Sequence, residues 1–303
     1  MYVTQVQQTL TVADEPLSAV LQELLGTLIA VLLSSSMSAV HATATEVFTE
    51  AATADVEIAG MVIAVGLLGA GTMFRVRSDR AAATIFGALG FAFAVVVLAV
   101  AVHSNGWLTR SDAPVAAWFV DHRTRALDEL ALAVTTAGGP AETAALGLVV
   151  AVLLVWRTKR YGPALVMLAT VGSASMLCTI VKLIVGRERP PQSIQLMLET
   201  DFSFPSGHVT GTAALSLMLA LIAGIHRSRG VRALFLGIAL AVTVAVACTR
   251  MYLGVHWLTD VLAGALLAAC AVTLGSYVLH RLDSGGDATD ATPPRLLMNR
   301  ISL

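Results

Sequence analysis

Charge is what this sequence has least of. Only 13% of its 303 residues are Asp, Glu, Lys or Arg, while 56% are hydrophobic. A soluble domain carries about 25% charged residues, so the polar surface is too small for a water-soluble globule. With a formal net charge of -1 and no basic tract, nothing in the chain suits nucleic acid. Lysine is nearly missing: Lys159 and Lys182 are the only two. Cysteine is scarce as well. Cys178, Cys248 and Cys270 each fall inside an apolar run without paired spacing, so they read as buried free thiols and not as a disulfide or metal site. No Lys or Arg precedes Arg75, so a secretory signal with a positive leading region is not expected.

What the chain does have is a series of apolar runs. Membrane spans are expected at 58–74, 81–102, 143–156, 163–185, 209–225, 232–249 and 258–279, since about twenty apolar residues cross a bilayer. The expected fold is all-α. It is a polytopic membrane helix bundle, with a six-helix core over 81–280 and one or two further N-terminal apolar segments. Residues 1–57 read as a polar to weakly apolar extension; its Leu17–Leu33 run is a weak span or an interfacial helix. Residues 58–80 read as an additional span with a basic linker, and 281–303 as a disordered cytoplasmic tail. The stretch from His103 to Glu142 mixes charges with Trp107, Trp118 and Phe119, and is expected along the membrane surface.

Basic residues set the orientation. Arg75, Arg77 and Arg80; Arg157, Lys159 and Arg160; Arg227, Arg229 and Arg232; and Arg281 all fall on one side if the helices alternate. The positive-inside rule makes that side cytoplasmic. The protein is then expected in the plasma membrane, with residues 182–208 and 250–260 at the extracytoplasmic face.

Those two stretches hold most of the unexplained charge. A Lys, Arg or Asp at the centre of a membrane helix costs about 2.5–3.5 kcal/mol on insertion scales. Lys182 precedes Arg189-Pro190 by seven positions, and the prolines at 190 and 191 stop any helix there. Two cations on a turning backbone suit separate oxygens of one phosphate, although Lys and Arg also anchor helix ends at headgroups. Pro205-Ser206-Gly207-His208 leads into an apolar run. It delivers free N–H groups, a hydroxyl and an imidazole to a helix N-terminus, where an anion is favoured; a simple cap is the plainer alternative. His256 and Asp260 are four apart and share a helical face, so the carboxylate can hold one ring nitrogen and leave the other nucleophilic. A salt bridge to Arg250 would explain Asp260 but not His256.

Taken in order, the three groups read Lys182…Arg189-Pro190, Pro205–His208 and Thr249-Arg250…His256…Asp260. This pattern resembles the type 2 phosphatidic acid phosphatase family, which also includes the vanadium haloperoxidases; only Thr249 departs, standing where the family has Ser. The resemblance covers residues 81–280. It implies that His256 attacks phosphorus to form a phosphohistidine, that Asp260 orients it, and that His208 protonates the leaving oxygen and then activates water. It also implies that Lys182, Arg189, Ser206, Gly207 and Arg250 hold the phosphoryl oxygens, with no metal and no cofactor. Arg187 and Glu188, inside the first motif, have no assigned part.

The expected function is an integral-membrane lipid phosphate phosphatase. The first-choice substrate is undecaprenyl or another polyprenyl diphosphate, with phosphatidylglycerol phosphate and phosphatidic acid as the other candidates. The expected partners are the lipid substrate and membrane lipids. A phosphotransferase using the same site is the first alternative. A non-catalytic lipid-phosphate binder or transporter is the second, and it predicts charged or broken helices at the membrane midplane.

Overall fold

The computed structural model describes residues 54–289, and side chains up to Asp283. The extension before residue 54, including Leu17–Leu33, and the last part of the tail lie outside the described residues. Nine α-helices are described: α1 (Ala54–Val76), α2 (Arg80–Ser104), α3 (Asp112–Asp121), α4 (Arg125–Ala137), α5 (Pro140–Thr158), α6 (Gly162–Val185), α7 (Gly207–Gly224), α8 (Arg229–Tyr252) and α9 (Leu258–Thr289). Seven of them, all except α3 and α4, are long and apolar enough to cross a membrane. They coincide with the seven expected spans, each begun or ended by ordinary helix chemistry. The Asp79 carboxylate accepts from the Ala82 N–H at the start of α2, and prolines sit in the first turns of α5 and α6, where a missing N–H costs nothing.

Two boundaries differ from the sequence expectation. Helix α1 begins at Ala54 and so takes in Glu57, which had been placed in the polar linker. Acidic residues suit a helix N-terminus, and the buried Glu57 carboxylate accepts the Leu108 N–H at 3.2 Å, fastening α1 to the turn after α2. Helix α9 continues past Arg281 to Thr289. No proline follows Pro205 before Pro293, and the Gly285-Gly286 pair weakens a helix without stopping it.

Helices α7 and α9 form the centre. Buried α7 residues include Ala213, Ala214 and Met218, packed with Met167 and Ala174 of α6 and Ala268 of α9. Small residues let these backbones approach where lipid offers no hydrophobic drive to pack. Gly264 shows how close: a Cβ there would lie 2.7 Å from the Ser206 carbonyl oxygen and 3.0 Å from Thr210 Oγ1. Outward faces carry bare Val62, Val65, Val152, Leu165 and Leu240, tolerable in hydrocarbon and costly in water.

The two ends of the bundle differ in charge. Arg75, Arg80, Arg232 and His280 line one cavity, and Gly162 lies against Leu282 near the same end. At the other end α3 and α4 close over the bundle. This segment is more than a surface strip. The Arg123 guanidinium donates to the carbonyls of Ile194 and Tyr252 at 2.8 and 2.7 Å, and the Tyr252 hydroxyl meets Asp128 at 2.7 Å. It forms a roof tied to the loops that carry the charged motifs.

Candidate active site

All three motif groups meet under that roof. Helix α6 places Lys182 in its last turn and ends at Gly186, whose left-handed backbone turns the chain back. The loop from 187 to 206 then runs over the bundle end. Gly207 opens α7 with His208 beside it, and Arg250 sits in the last turn of α8. A tight turn at Gly254, with φ of +71°, brings the chain to His256; a side chain there would strike the Ile194 carbonyl oxygen at 2.3 Å. Asp260 lies in the first turn of α9. The Ser206 N–H donates to the Asp260 carbonyl at 3.0 Å, which fastens the second group to the third.

His256 is 2% exposed and Asp260 fully buried. The imidazole Nδ1 stands 3.3 Å from Asp260 Oδ2, which also accepts the Trp257 N–H at 2.9 Å. The other nitrogen, Nε2, faces Arg189 Nη1 at 3.2 Å. A guanidinium only donates. The proton therefore sits on Nδ1, facing the carboxylate, and the Nε2 lone pair points at the cations. Burial pushes the His256 imidazole well below its ordinary range, and the nearby charges of Arg250, Arg189 and Lys182 push it further. The ring is neutral at pH 7, as a nucleophile requires.

The cations come from three elements. Arg189 Nη1 also donates to the Val255 carbonyl at 2.7 Å. Arg250, fully buried, places Nη1 2.9 Å from Thr135 Oγ1 and 3.4 Å from His208 Nε2. Lys182 Nζ reaches Asp201 Oδ2 at 2.7 Å. Two buried polar atoms of the cluster, Ser206 Oγ and Arg250 Nε, make no hydrogen bond. Such groups are rare and costly unless something else engages them. Gly207 meets no packing demand, since an added Cβ would touch only the Cys178 sulfur at 4.0 Å. Its small size leaves the helix N-terminus open. Among the described residues no group of three or more His, Cys, Asp or Glu is placed to hold a metal ion.

Several residues of the cluster had no sequence signal. Glu199 accepts from Arg250 Nη2 at 2.5 Å and lies 3.9 Å from Arg189 Nη2. Asp201 pairs with both Lys182 and Arg189. Burial alone would raise the Asp201 carboxyl, but Lys182 and Arg189 outweigh it and hold the group at about 2. Thus two carboxylates from the 187–206 loop meet the cations of the cluster. Arg187, left without a part by the motif, bridges Asp112 at 2.6 Å and Asp260 at 2.5 Å. Spacing could not have found these pairs, because each joins residues brought together only by the fold.

The PAP2 superfamily model matches residues 163–283, which contain every residue of the three motifs. Phosphatidylglycerophosphatase B of Bacillus subtilis (strain 168) is 30% identical over 172 residues, 56% of this chain and 83% of that protein. The chain belongs to the PAP2 superfamily. An undecaprenyl-diphosphatase of Sulfolobus acidocaldarius is 35% identical over 129 residues, 40% of this chain and 57% of that one. A crystal structure of a transmembrane PAP2 type phosphatidylglycerolphosphate phosphatase from Bacillus subtilis superposes with a TM-score of 0.61 at 26% identity, covering 65% of this chain and 98% of the other. With seven membrane-length helices among its described residues, this PAP2 chain is a multi-pass membrane phosphatase, a hydrolase of phosphate esters.

Proposed function

We propose that this PAP2 protein hydrolyses a lipid phosphate at the extracytoplasmic face of the plasma membrane through a phosphohistidine on His256. One observation carries the reading: a buried imidazole, held on Nδ1 by Asp260, turns its Nε2 lone pair toward Arg189 at 3.2 Å. In the reaction Nε2 forms a bond to phosphorus as the bond to the leaving oxygen breaks, and His208 gives that oxygen its proton. Water then attacks the phosphohistidine, returning its proton to His208 and releasing phosphate. Lys182, Arg189, Arg250, the Ser206 hydroxyl and the Gly207 N–H hold the equatorial oxygens. Phosphoryl transfer depends on such fixed positive charge. The carboxylates of Glu199 and Asp201 give way as the phosphate takes up these contacts.

A site at a helix-bundle end, roofed on the aqueous side and flanked by lipid-facing helices, suits an amphiphile whose headgroup sits at the interface. The relatives' names include a phosphatidylglycerophosphatase, an undecaprenyl-diphosphatase and decaprenylphosphoryl-5-phosphoribose phosphatases, so polyprenyl-linked phosphates appear beside a glycerophospholipid one. A polyprenyl diphosphate remains the first choice, with phosphatidylglycerol phosphate and phosphatidic acid next. A phosphotransferase would share every step except the last, with a hydroxyl replacing water. The charges lie at helix ends and not on broken helices, which disfavours the transporter reading.

The test is phosphate release from each of these lipids by the detergent-solubilised protein in EDTA. At least one lipid is expected to react without added metal. A strict requirement for Mg²⁺, or no release from any of them, would overturn the reading.

A further inference from the structure

Behind Asp260 lies a second layer that the PAP2 motifs leave unassigned. Arg187 Nη1 donates to Asp260 Oδ1 at 2.5 Å and to Thr259 Oγ1 at 2.7 Å, while Nη2 donates to Asp112 Oδ2 at 2.6 Å. Asp112, from the start of α3, accepts the Thr259 N–H at 2.9 Å and the Thr259 hydroxyl at 2.7 Å. It is 4% exposed. The guanidinium also lies against the Trp257 ring, 5.4 Å from its centre. One half-buried cation therefore serves two buried carboxylates, and one of those carboxylates holds His256. A simple clasp for the α9 N-terminus would not need this sharing, because Asp112 already caps Thr259 without Arg187.

We propose that Arg187 and Asp112 are positioning residues for the phosphoryl transfer: together they set the orientation and effective charge of the Asp260 carboxylate that holds His256. Arg187 withdraws charge from Asp260, and Asp112 moderates that withdrawal by competing for the same guanidinium. The proton affinity of His256 then depends on both. The other charges facing His256 are Arg189 from the α6–α7 loop, Lys182 from α6, His208 from α7 and Arg250 from α8. Glu199 and Asp201 lie beyond the guanidiniums. None of these changes in Arg187 or Asp112 variants, so a shift can be traced to this layer.

The inference rests on His256 as the nucleophile, and the test separates the two. Full-length protein in detergent would be assayed on phosphatidic acid and undecaprenyl diphosphate micelles from pH 4 to 9, as wild type, H256A, R187Q, R187K and D112N. The acid limb of kcat/KM reports the free enzyme's essential base. In R187Q, Asp260 keeps its full negative charge and favours the imidazolium, so the limb moves to higher pH. In D112N, Arg187 neutralises Asp260 more completely, so the limb moves to lower pH. Each shift is expected to be about one pH unit, the scale of a neighbouring charge. R187Q is also expected to lose at least about tenfold in kcat/KM, as when an outer partner of a functional ligand is removed. R187K restores the limb but only part of kcat, since an ammonium lacks the fork that spans both carboxylates.

Limbs at the wild-type pH in both D112N and R187Q, with H256A inactive, would reduce the layer to a structural clasp and overturn the inference alone. An active H256A would overturn the nucleophile reading and the inference with it. Should R187Q not purify as a monodisperse protein, the limb of D112N decides: a shift to lower pH supports the inference and a wild-type limb overturns it.

Discussion

His256 combines burial, a carboxylate on one ring nitrogen and a guanidinium on the other. Its proton affinity is set far below the ordinary imidazole value of about 6.5, chiefly by burial. The sign follows directly. The folded site resists the proton, so the imidazole proposed as nucleophile stays neutral at pH 7 and is lost only well below pH 6.5. A kcat/KM profile should therefore be level from pH 7 to below pH 6 before it falls. An acid limb centred at or above 6.5 would contradict this. The same shift makes the fold less stable as pH drops below about 6.5, because the unfolded chain takes up a proton that the folded site excludes. Asp201, held at about 2 by Lys182 and Arg189, stays ionised throughout that range and contributes nothing to the limb. As a competing anion, its carboxylate should weaken phosphate binding. Asp201→Asn is expected to lower the concentration of orthovanadate giving half inhibition by severalfold; an unchanged or higher value would remove Asp201 from the phosphate's path. At this scale the sequence was legible for the meeting of the eight motif residues, whose order and spacing resemble the family pattern. It was silent on Glu199, Asp201, Asp112 and Thr135. An acidic residue in a polar loop looks like any other solvated residue until the fold sets it against a buried cation.

Helices α7 and α9 meet closely where Gly264 passes the Ser206 carbonyl. That approach lets the Ser206 N–H reach the Asp260 carbonyl and so sets the second motif against the third. Gly264→Val should push the helices apart, costing about 1–3 kcal/mol, the range for overpacking. Activity should fall along with the thermal unfolding temperature. Gly207→Ala gives the contrasting case. Packing leaves room for that methyl, so the unfolding temperature should hold while activity falls, through obstruction of the open helix N-terminus. Equal loss of stability in both variants would count against the open-N-terminus role. Spans were legible at this scale because lipid demands long uninterrupted apolar runs. The start of α1 was not, since Asp55 and Glu57 look like linker charge unless a helix N-terminus and the Leu108 N–H are there to receive them. Nor was the roof. The charges of α3 and α4 suggest a wet surface, whereas Thr135 and Asp112 point inward to Arg250 and Arg187.

Over the whole molecule, the basic helix ends gather opposite the end that holds the motif cluster. By the positive-inside rule, this is the arrangement that supports the proposed outward orientation of the cluster. The three native cysteines lie within spanning helices, so new cysteines at exposed loop positions can report the sidedness. Ser193→Cys, in the loop above the cluster, should react with a membrane-impermeant maleimide on intact cells. Lys159→Cys, between α5 and α6, should react only after the membrane is opened, and the reverse pattern would invert the topology. The central claim concerns one bond, between phosphorus and the Nε2 of His256. Rapid acid-free quenching of the protein with ³²P-labelled lipid phosphate measures it most directly. The account predicts a label that is stable to base, labile to acid, confined to the peptide containing His256 and missing from His256→Ala. A label on another residue, or full phosphatase activity in that variant, would contradict it.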